Sequence, residues 1–333
     1  MNGFWGRVRE AEEAGAAVAS ATVVSRRAPV SSHVGDRAFV YPDGRMEGFV
    51  GGACSREIVR RHALEALRTG RARLVKIRPA SAPAEEADGD VVLPMGCVSE
   101  GAADIYIEPH LPRPTLMVVG STPVAATLGR LGQPLDYRVV RVVEEDEMRD
   151  VADGATLVLP LGDLPAFVDG MTPASRSRMM VVVASQGHYD DEALAAVLRS
   201  GAEFIGLLAS RARGAAVLAA LHDVGGFSLA ETSLVRTPVG IDIGAKEPGE
   251  VAVSILAEII AHQIERQASA RMQPAVEVER PGATAVDPVC KMDVDPGASR
   301  RTAEHQGETY YFCGPGCRAA FLREPAAYAA SSA

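Results

Sequence analysis

The chain has 333 residues, too many for a single ordinary core, so two or three domains are expected. It is acidic, with a formal net charge of −9, and shows no basic stripe of the kind that marks a nucleic-acid binder. Its apolar runs, such as residues 179–184, are far shorter than the roughly 20 residues that span a bilayer.

The N-terminus places Arg, Glu and aromatic residues at helical spacing and has no apolar run before a small-residue cleavage site. A helix and a cytoplasmic location are therefore expected. Residues 17–26 and 37–41 read as strands. Pro42-Asp43-Gly44 is a turn signal, and the pair Gly51 and Gly52 leads into a helix over 54–67. Residues 80–90 read as an exposed acidic loop, and 104–107 as a strand before a run of prolines.

From about residue 113 the pattern changes. Strands over 115–119, 138–143, 156–159, 179–183 and 204–208 alternate with helices over 124–131, 192–199 and 213–224. Such alternation predicts a parallel sheet with helices on both faces. A last helix over 248–267 carries a wide apolar stripe and starts at Pro248, which suits a first helical turn. Residues 268–285 read as a linker. The boundaries are therefore 1–112 for a mixed α+β domain, 113–267 for a Rossmann-like domain, 268–285 for the linker and 286–333 for a small cysteine-bearing module.

Chemistry concentrates at the strand ends. Gly120-Ser121-Thr122-Pro123 follows a strand and opens a helix, where free N–H groups attract phosphate. Thr122 stands where a dinucleotide turn needs a second glycine, which weakens an ordinary NAD site. Glu144 and Glu145 lie at the end of the next strand, where a ribose-binding acid belongs. Ligands of open parallel sheets bind outside the carboxyl ends of the strands. That edge should also hold Gln186, Gly187 and His188 of one loop, with Asp190 as a helix cap, and Ser210 and Arg211 of another. Asp242 and Gly244 precede the last helix and extend the rim.

Five cysteines, an odd number, fit a reducing compartment better than a disulfide framework. Cys290, Cys313 and Cys317 share one short module, with Cys313 and Cys317 spaced to converge on one ion. Three thiolates suit zinc or copper(I). A fourth ligand is not evident; His305 and an exchangeable group are both open. Tyr310, Tyr311, Phe312, Phe321 and Tyr328 should build the module's core.

Several long segments resemble the XdhC/CoxI family of molybdenum-hydroxylase maturation factors. They are Gly51-Gly52-Ala53-Cys54, the stretch from Gly96-Cys97 to Gly101 with the following DIYIEP, SQGHYDDEAL, FIGLLASR and PVGIDIGAKEPGEVAVSILAEI. Departures are Thr122-Pro123 in the Rossmann turn and Glu100 in the second cysteine motif. The C-terminal module resembles a YHS domain. The resemblance implies a non-enzymatic chaperone that binds molybdenum cofactor, as molybdopterin or its dinucleotide. It would assist sulfuration and insertion into a xanthine-dehydrogenase-like or carbon-monoxide-dehydrogenase-like apoenzyme. Cys54 and Cys97 would face molybdenum or a transferable sulfur. A cysteine desulfurase would be a partner, and the chain would form a homodimer. The alternatives are a nicotinamide-dependent oxidoreductase and a metal- or redox-responsive regulator acting through the C-terminal cysteines.

Overall fold

The computed structural model describes residues 3–79, 86–87, 90–95, 101–272, 285–289, 293–294, 296 and 301–329. By their contacts these fall into two compact units, Met1–Ala16 with Leu111–Ser269 and Ala17–His110 with Ala270–Ala333. The expected loop at 80–90 and linker at 268–285 lie largely outside the described residues.

Helix α1 (Phe4–Glu13) belongs to the first unit; the second begins with β1 (Val18–Arg27), β2 (Arg37–Val40) and β3 (Met46–Gly48). Helix α2 (Ala53–Thr69), β4 (Arg73–Pro79), β5 (Glu86–Ala87), β6 (Asp90–Met95) and β7 (Ala102–His110) complete a seven-stranded sheet in the order β3-β2-β1-β7-β4-β6-β5. Alternate residues of β1 (Ala19, Ala21, Val23) point to one face, as strand geometry requires. Val59, Ala63 and Ala66 of α2 bury a helical stripe against them. Gly70 closes α2 in a left-handed C-cap, bonding back to the carbonyl of Ala66.

One polar group is caught in this packing. His62 of α2 is nearly buried; its Nδ1 lies 3.2 Å from Arg73 Nη1, while Nε2 is buried without a partner among the described residues. Burial, then the charges of Arg61 and Arg73, lower its pKa to about 4. The folded state therefore binds fewer protons than the unfolded one between the ordinary value of 6.5 and about 4. Its stabilising effect is whole above that window and is lost as pH falls through it, by as much as about 3 kcal/mol. Unfolding titrations across that window should show this decline in the wild type and a flatter profile in His62→Gln. Equal slopes in the two proteins would refute it.

The first unit holds β8 (Thr115–Val119), α3 (Pro123–Gly132), β9 (Arg138–Val143), β10 (Leu157–Pro160), α4 (Leu164–Asp169), α5 (Pro173–Arg176), β11 (Met179–Val183), α6 (Asp190–Val197), β12 (Phe204–Leu207), α7 (Arg211–Asp223), α8 (Leu229–Thr232), β13 (Val235–Arg236) and α9 (Pro248–Met272). Six parallel strands run in the order β10-β9-β8-β11-β12-β13. Every residue of β8 and β11 is buried, because helices cover both faces. Met117, Val119, Val181 and Val183 face Leu164, Leu194 and Leu221; Leu116, Val118, Met180 and Val182 face Leu128, Ile255 and Ile259. The chain winds outward in both directions from β8 and β11. Their carboxyl ends form the switch point where such sheets open a ligand crevice.

The C-terminal module rejoins the second unit with β14 (Ala285–Val286), β15 (Asp293–Val294), β16 (Thr302–His305), β17 (Glu308–Tyr311), α10 (Pro315–Arg323) and α11 (Pro325–Ala329). Ala303, Phe312, Cys317 and Phe321 are its buried cluster, with Tyr310 and Tyr328 packed against it. No described helix is long and apolar enough to cross a membrane.

Candidate functional site

The switch point is built around a close contact. Gly120 directly follows β8 with φ 118°, and a Cβ there would stand 2.4 Å from the carbonyl oxygen of Ala184, the residue after β11. Only glycine lets the two strand ends meet. Beside it, the Thr122 hydroxyl caps α3, accepting from the Ala125 N–H at 3.2 Å and donating to the Ala184 carbonyl at 3.0 Å. Pro123, the next residue, has no N–H. The helix start therefore satisfies itself internally and offers fewer donors to an anion than a dinucleotide turn does.

A carboxylate also stands over this turn. Ser121 donates to Glu147 Oε1 at 2.5 Å, and Glu147 Oε2 accepts from Tyr189 Oη at 3.1 Å and from the Glu144 N–H at 3.2 Å. Burial works against ionisation of Glu147, but the bonds from Ser121, the Glu144 backbone and Tyr189 outweigh it and hold its pKa below the ordinary value. Burial, with Glu147 second, raises that of Tyr189. The sequence pointed to Glu144 as the acid of this site; the structure leaves its side chain exposed and turns Glu147 onto Ser121. The short helical turn at Met148–Asp150 sets that orientation, and nothing in the local sequence announces it.

Beneath the turn lies Arg141 of β9, about 1 % exposed. It donates to the Gly120 carbonyl at 2.5 Å and to the equally buried Asp153. Its Nε has no partner among the described residues. Burial pulls its pKa down to about 10, which leaves it charged at neutral pH. A cavity of about 160 Å³ opens here, lined by Ser121, Arg130, Arg141, Glu147, Asp150 and Asp153 among others. With three carboxylates and two guanidiniums in its lining, it suits hydroxyl and amide groups better than a diphosphate. The signal for it is the second arginine of RVVRVV, which stands between valines in the buried part of the strand, whereas Arg138 at the strand's start is exposed.

The adjoining loop presents Gln186, Gly187 and His188, all exposed, with the backbone left-handed at Gln186 (φ 58°) and Gly187 (φ 95°). Asp190 does not cap α6 as expected. It is the first residue of the helix, buried, and accepts from the Ser185 hydroxyl. Its other oxygen lies 3.5 Å from Arg213, which also donates to the Leu208 carbonyl at 2.5 Å. Arg213 is thus engaged in holding two loops together. Arg211, the first residue of α7, is exposed on the same edge, and Ser210 caps the helix through the Arg213 N–H. Asp242 and Gly244 are exposed too, and Asp242 accepts from the Gly244 N–H at 3.3 Å, closing its own turn.

In the second unit, Gly51 and Gly52 precede α2, with open space beside Gly52. Cys54 lies in the first turn of α2; its side chain, and Cys97 with residues 96–100, lie outside the described residues. The flanks of the two cysteine motifs meet the same segment. A Cβ on Gly101 would fall 2.3 Å from the Pro29 carbonyl oxygen, and one on Gly51 would lie 3.9 Å from Ser32 Oγ.

At the C-terminus, Cys313 and Cys317 bring their sulfurs to 3.6 Å. Two thiolates on one tetrahedral zinc, at a bond length of about 2.3 Å, stand about 3.8 Å apart. The carboxylate of Asp287, fully buried, joins them, so that the three ligand atoms lie within 4.8 Å of one another. Its oxygens accept from the Val289 N–H at 2.9 Å and the Cys313 N–H at 2.8 Å, which fixes it beside the sulfurs. Asp287 carries no ligand spacing in the sequence that would single it out, and His305, open as a fourth ligand, instead packs edge-on against Phe321. Cys290 lies outside the described residues.

Comparison with known proteins agrees with this architecture. The XdhC Rossmann domain model matches residues 116–259, the XdhC and CoxI family model residues 11–78, and the YHS domain model residues 285–332. An Escherichia coli K12 protein described as uncharacterised, YqeB, is 27% identical over 268 residues, covering 79% of this chain. This chain spans 47% of that relative's length. A Bacillus halodurans protein described as a xanthine dehydrogenase has a similar fold, with a TM-score of 0.53 and 20% identity over 81% of this chain and 70% of that one. The two family models together take in more than half of the residues, and the chain belongs to the XdhC and CoxI family, with a YHS domain at its C-terminus.

Proposed function

We propose that the protein is an accessory factor in the maturation of a molybdenum hydroxylase. It binds the molybdenum cofactor and assists its sulfuration and its insertion into a xanthine-dehydrogenase-like or carbon-monoxide-dehydrogenase-like apoenzyme, without turnover of its own. The observation that carries this reading is the switch-point rim of a family member in which the usual diphosphate turn is closed off by Thr122, Pro123 and Glu147. A nicotinamide dinucleotide is poorly served there. A cargo with one phosphate and a ring system rich in donors and acceptors is better served.

In this reading Gln186, Gly187 and His188 hydrogen-bond the pterin, while Ser210 and Arg211 take the phosphate; Arg is suited to bidentate phosphate contact. Gly120 and Ser121 shape the inner wall, Glu144 contributes the backbone N–H that holds Glu147, and Asp242 and Gly244 close the far rim. In the other unit, Gly51 and Gly52 leave room at Cys54, and Cys54 and Cys97 supply soft ligands for molybdenum or a sulfur in transit. The C-terminal Cys313 and Cys317, with Cys290 and Asp287, hold a metal ion, zinc or copper(I). The domains act as 1–112, 113–267 and 286–333.

The test is purification of the full chain from cells that make molybdenum cofactor, followed by assay of molybdenum and released pterin. About one of each per chain is expected. Arg211→Ala should lower retention roughly tenfold, the effect of one charge-assisted contact. Cys54→Ala and Cys97→Ala should lower it without unfolding. Normal retention in both cysteine variants removes their ligand role. Absence of pterin after incubation with free cofactor removes the whole reading.

A further inference from the structure

Cys313 occupies a position unlike that of its neighbour Cys317. Cys317 is 1 % exposed and lies inside the C-terminal module's own cluster with Ala303, Phe312 and Phe321. Cys313 borders that cluster and also packs against the N-terminal cluster, which contains Ala38, Val40, and Val59, Ala63 and Ala66 of α2. Among the described hydrophobic side chains, no other is packed against both clusters. The module's buried cluster is small, and a unit of this size draws its order from a metal or from a neighbour. Here the same cysteine belongs to the candidate ligand group and packs against the neighbouring cluster.

We propose that metal occupancy at Cys313 and Cys317 is coupled to the order of α2, the helix that carries Cys54 in its first turn. This rests on reading the pair as a metal site. Asp287 already holds the Cys313 N–H at 2.8 Å. An ion bridging Cys313 and Cys317 removes the remaining rotamer freedom of Cys313 and sets its sulfur in one place against the N-terminal cluster. Loosening that cluster must then weaken the ion by the same factor by which the ion orders the cluster, since coupling between two equilibria is reciprocal. The C-terminal module thereby reports its metal state to the domain that bears the family's cysteine helix.

Hydrogen exchange of the full chain with and without zinc, read by mass spectrometry, tests this. Zinc should slow exchange roughly five- to tenfold in peptides covering α2 as well as in residues 301–329, the scale of a modest coupling free energy. Cys317→Ser should abolish both effects. Leu67→Ala, which trims a side chain packed on the N-terminal cluster, should weaken zinc binding by a comparable factor while leaving the module's cysteines intact. Protection confined to residues 301–329, or zinc affinity unmoved by Leu67→Ala, overturns the coupling alone. If zinc does not bind the wild type, the metal reading falls and takes the coupling with it.

Discussion

Arg141→Met destabilises the Rossmann unit by about 3–5 kcal/mol, the cost of leaving one member of a buried ion pair without its partner. The carboxylate of Asp153 and the guanidinium of Arg141 are each about 2 % exposed, so neither finds water when the other is removed. The same substitution deprives the Gly120 carbonyl of its 2.5 Å donor. Asp153→Leu combined with Arg141→Met should recover much of the loss, because replacing a buried pair by apolar groups is often close to neutral. Denaturant-dependent hydrogen exchange at the β8 and β9 amides measures both. A single variant within about 1 kcal/mol of wild type would mean that water reaches the pair. The functional consequence is separate. The double variant should fold yet retain less cofactor, since Arg141 also lines the cavity under the Ser121 turn.

Cys313→Ser with Cys317→Ser should remove metal from the C-terminal module entirely and unfold residues 301–329. Pterin should still be held by the Rossmann unit, with a loss no larger than that of Cys54→Ala. The expected size is large, because apparent binding free energies of structural zinc in small modules are about 10–16 kcal/mol and act as folding free energy. Asp287→Asn separates two roles of the carboxylate. Asn keeps one acceptor for the two backbone N–H groups and loses the anionic oxygen. If Asp287 is a ligand, cobalt(II) substituted at the site should change its visible spectrum as well as its affinity. If it only positions Cys313, affinity alone should fall, by roughly 10- to 100-fold as for outer-shell partners. Metal content unchanged in the double serine variant would place the ion elsewhere.

Continuous apolar runs are the most legible part of this sequence. TLMVV and MMVVV have nowhere to go but the middle of a covered parallel sheet, and β8 and β11 are buried along their whole length. The helix at 248–267 was equally plain, and α9 begins at Pro248 as expected. Short or one-sided elements were harder. The strand Arg73–Pro79 carries Lys and Arg between its apolar residues, and the strand Val235–Arg236 has only two residues, so neither stands out before its neighbours are in place. Asp190 shows the limit of local rules. A cap was the natural reading of an aspartate at a helix start, but the buried Ser185 hydroxyl and Arg213 draw its carboxylate inward.

By itself the sequence determined the alternation of strands and helices, the glycine turn with its threonine between strand and helix, the cysteine pair four residues apart, and the family. These are local patterns, set by neighbours a few residues away. Only the tertiary structure decided which acid faces the turn, that Arg141 is the cation beneath it, that Asp287 joins Cys313 and Cys317 across 26 residues, and that Cys313 borders two cores. Each of these depends on groups far apart in the chain. Their partners are chosen by burial, which makes an unmatched charge or N–H costly, and burial is not written in any one segment.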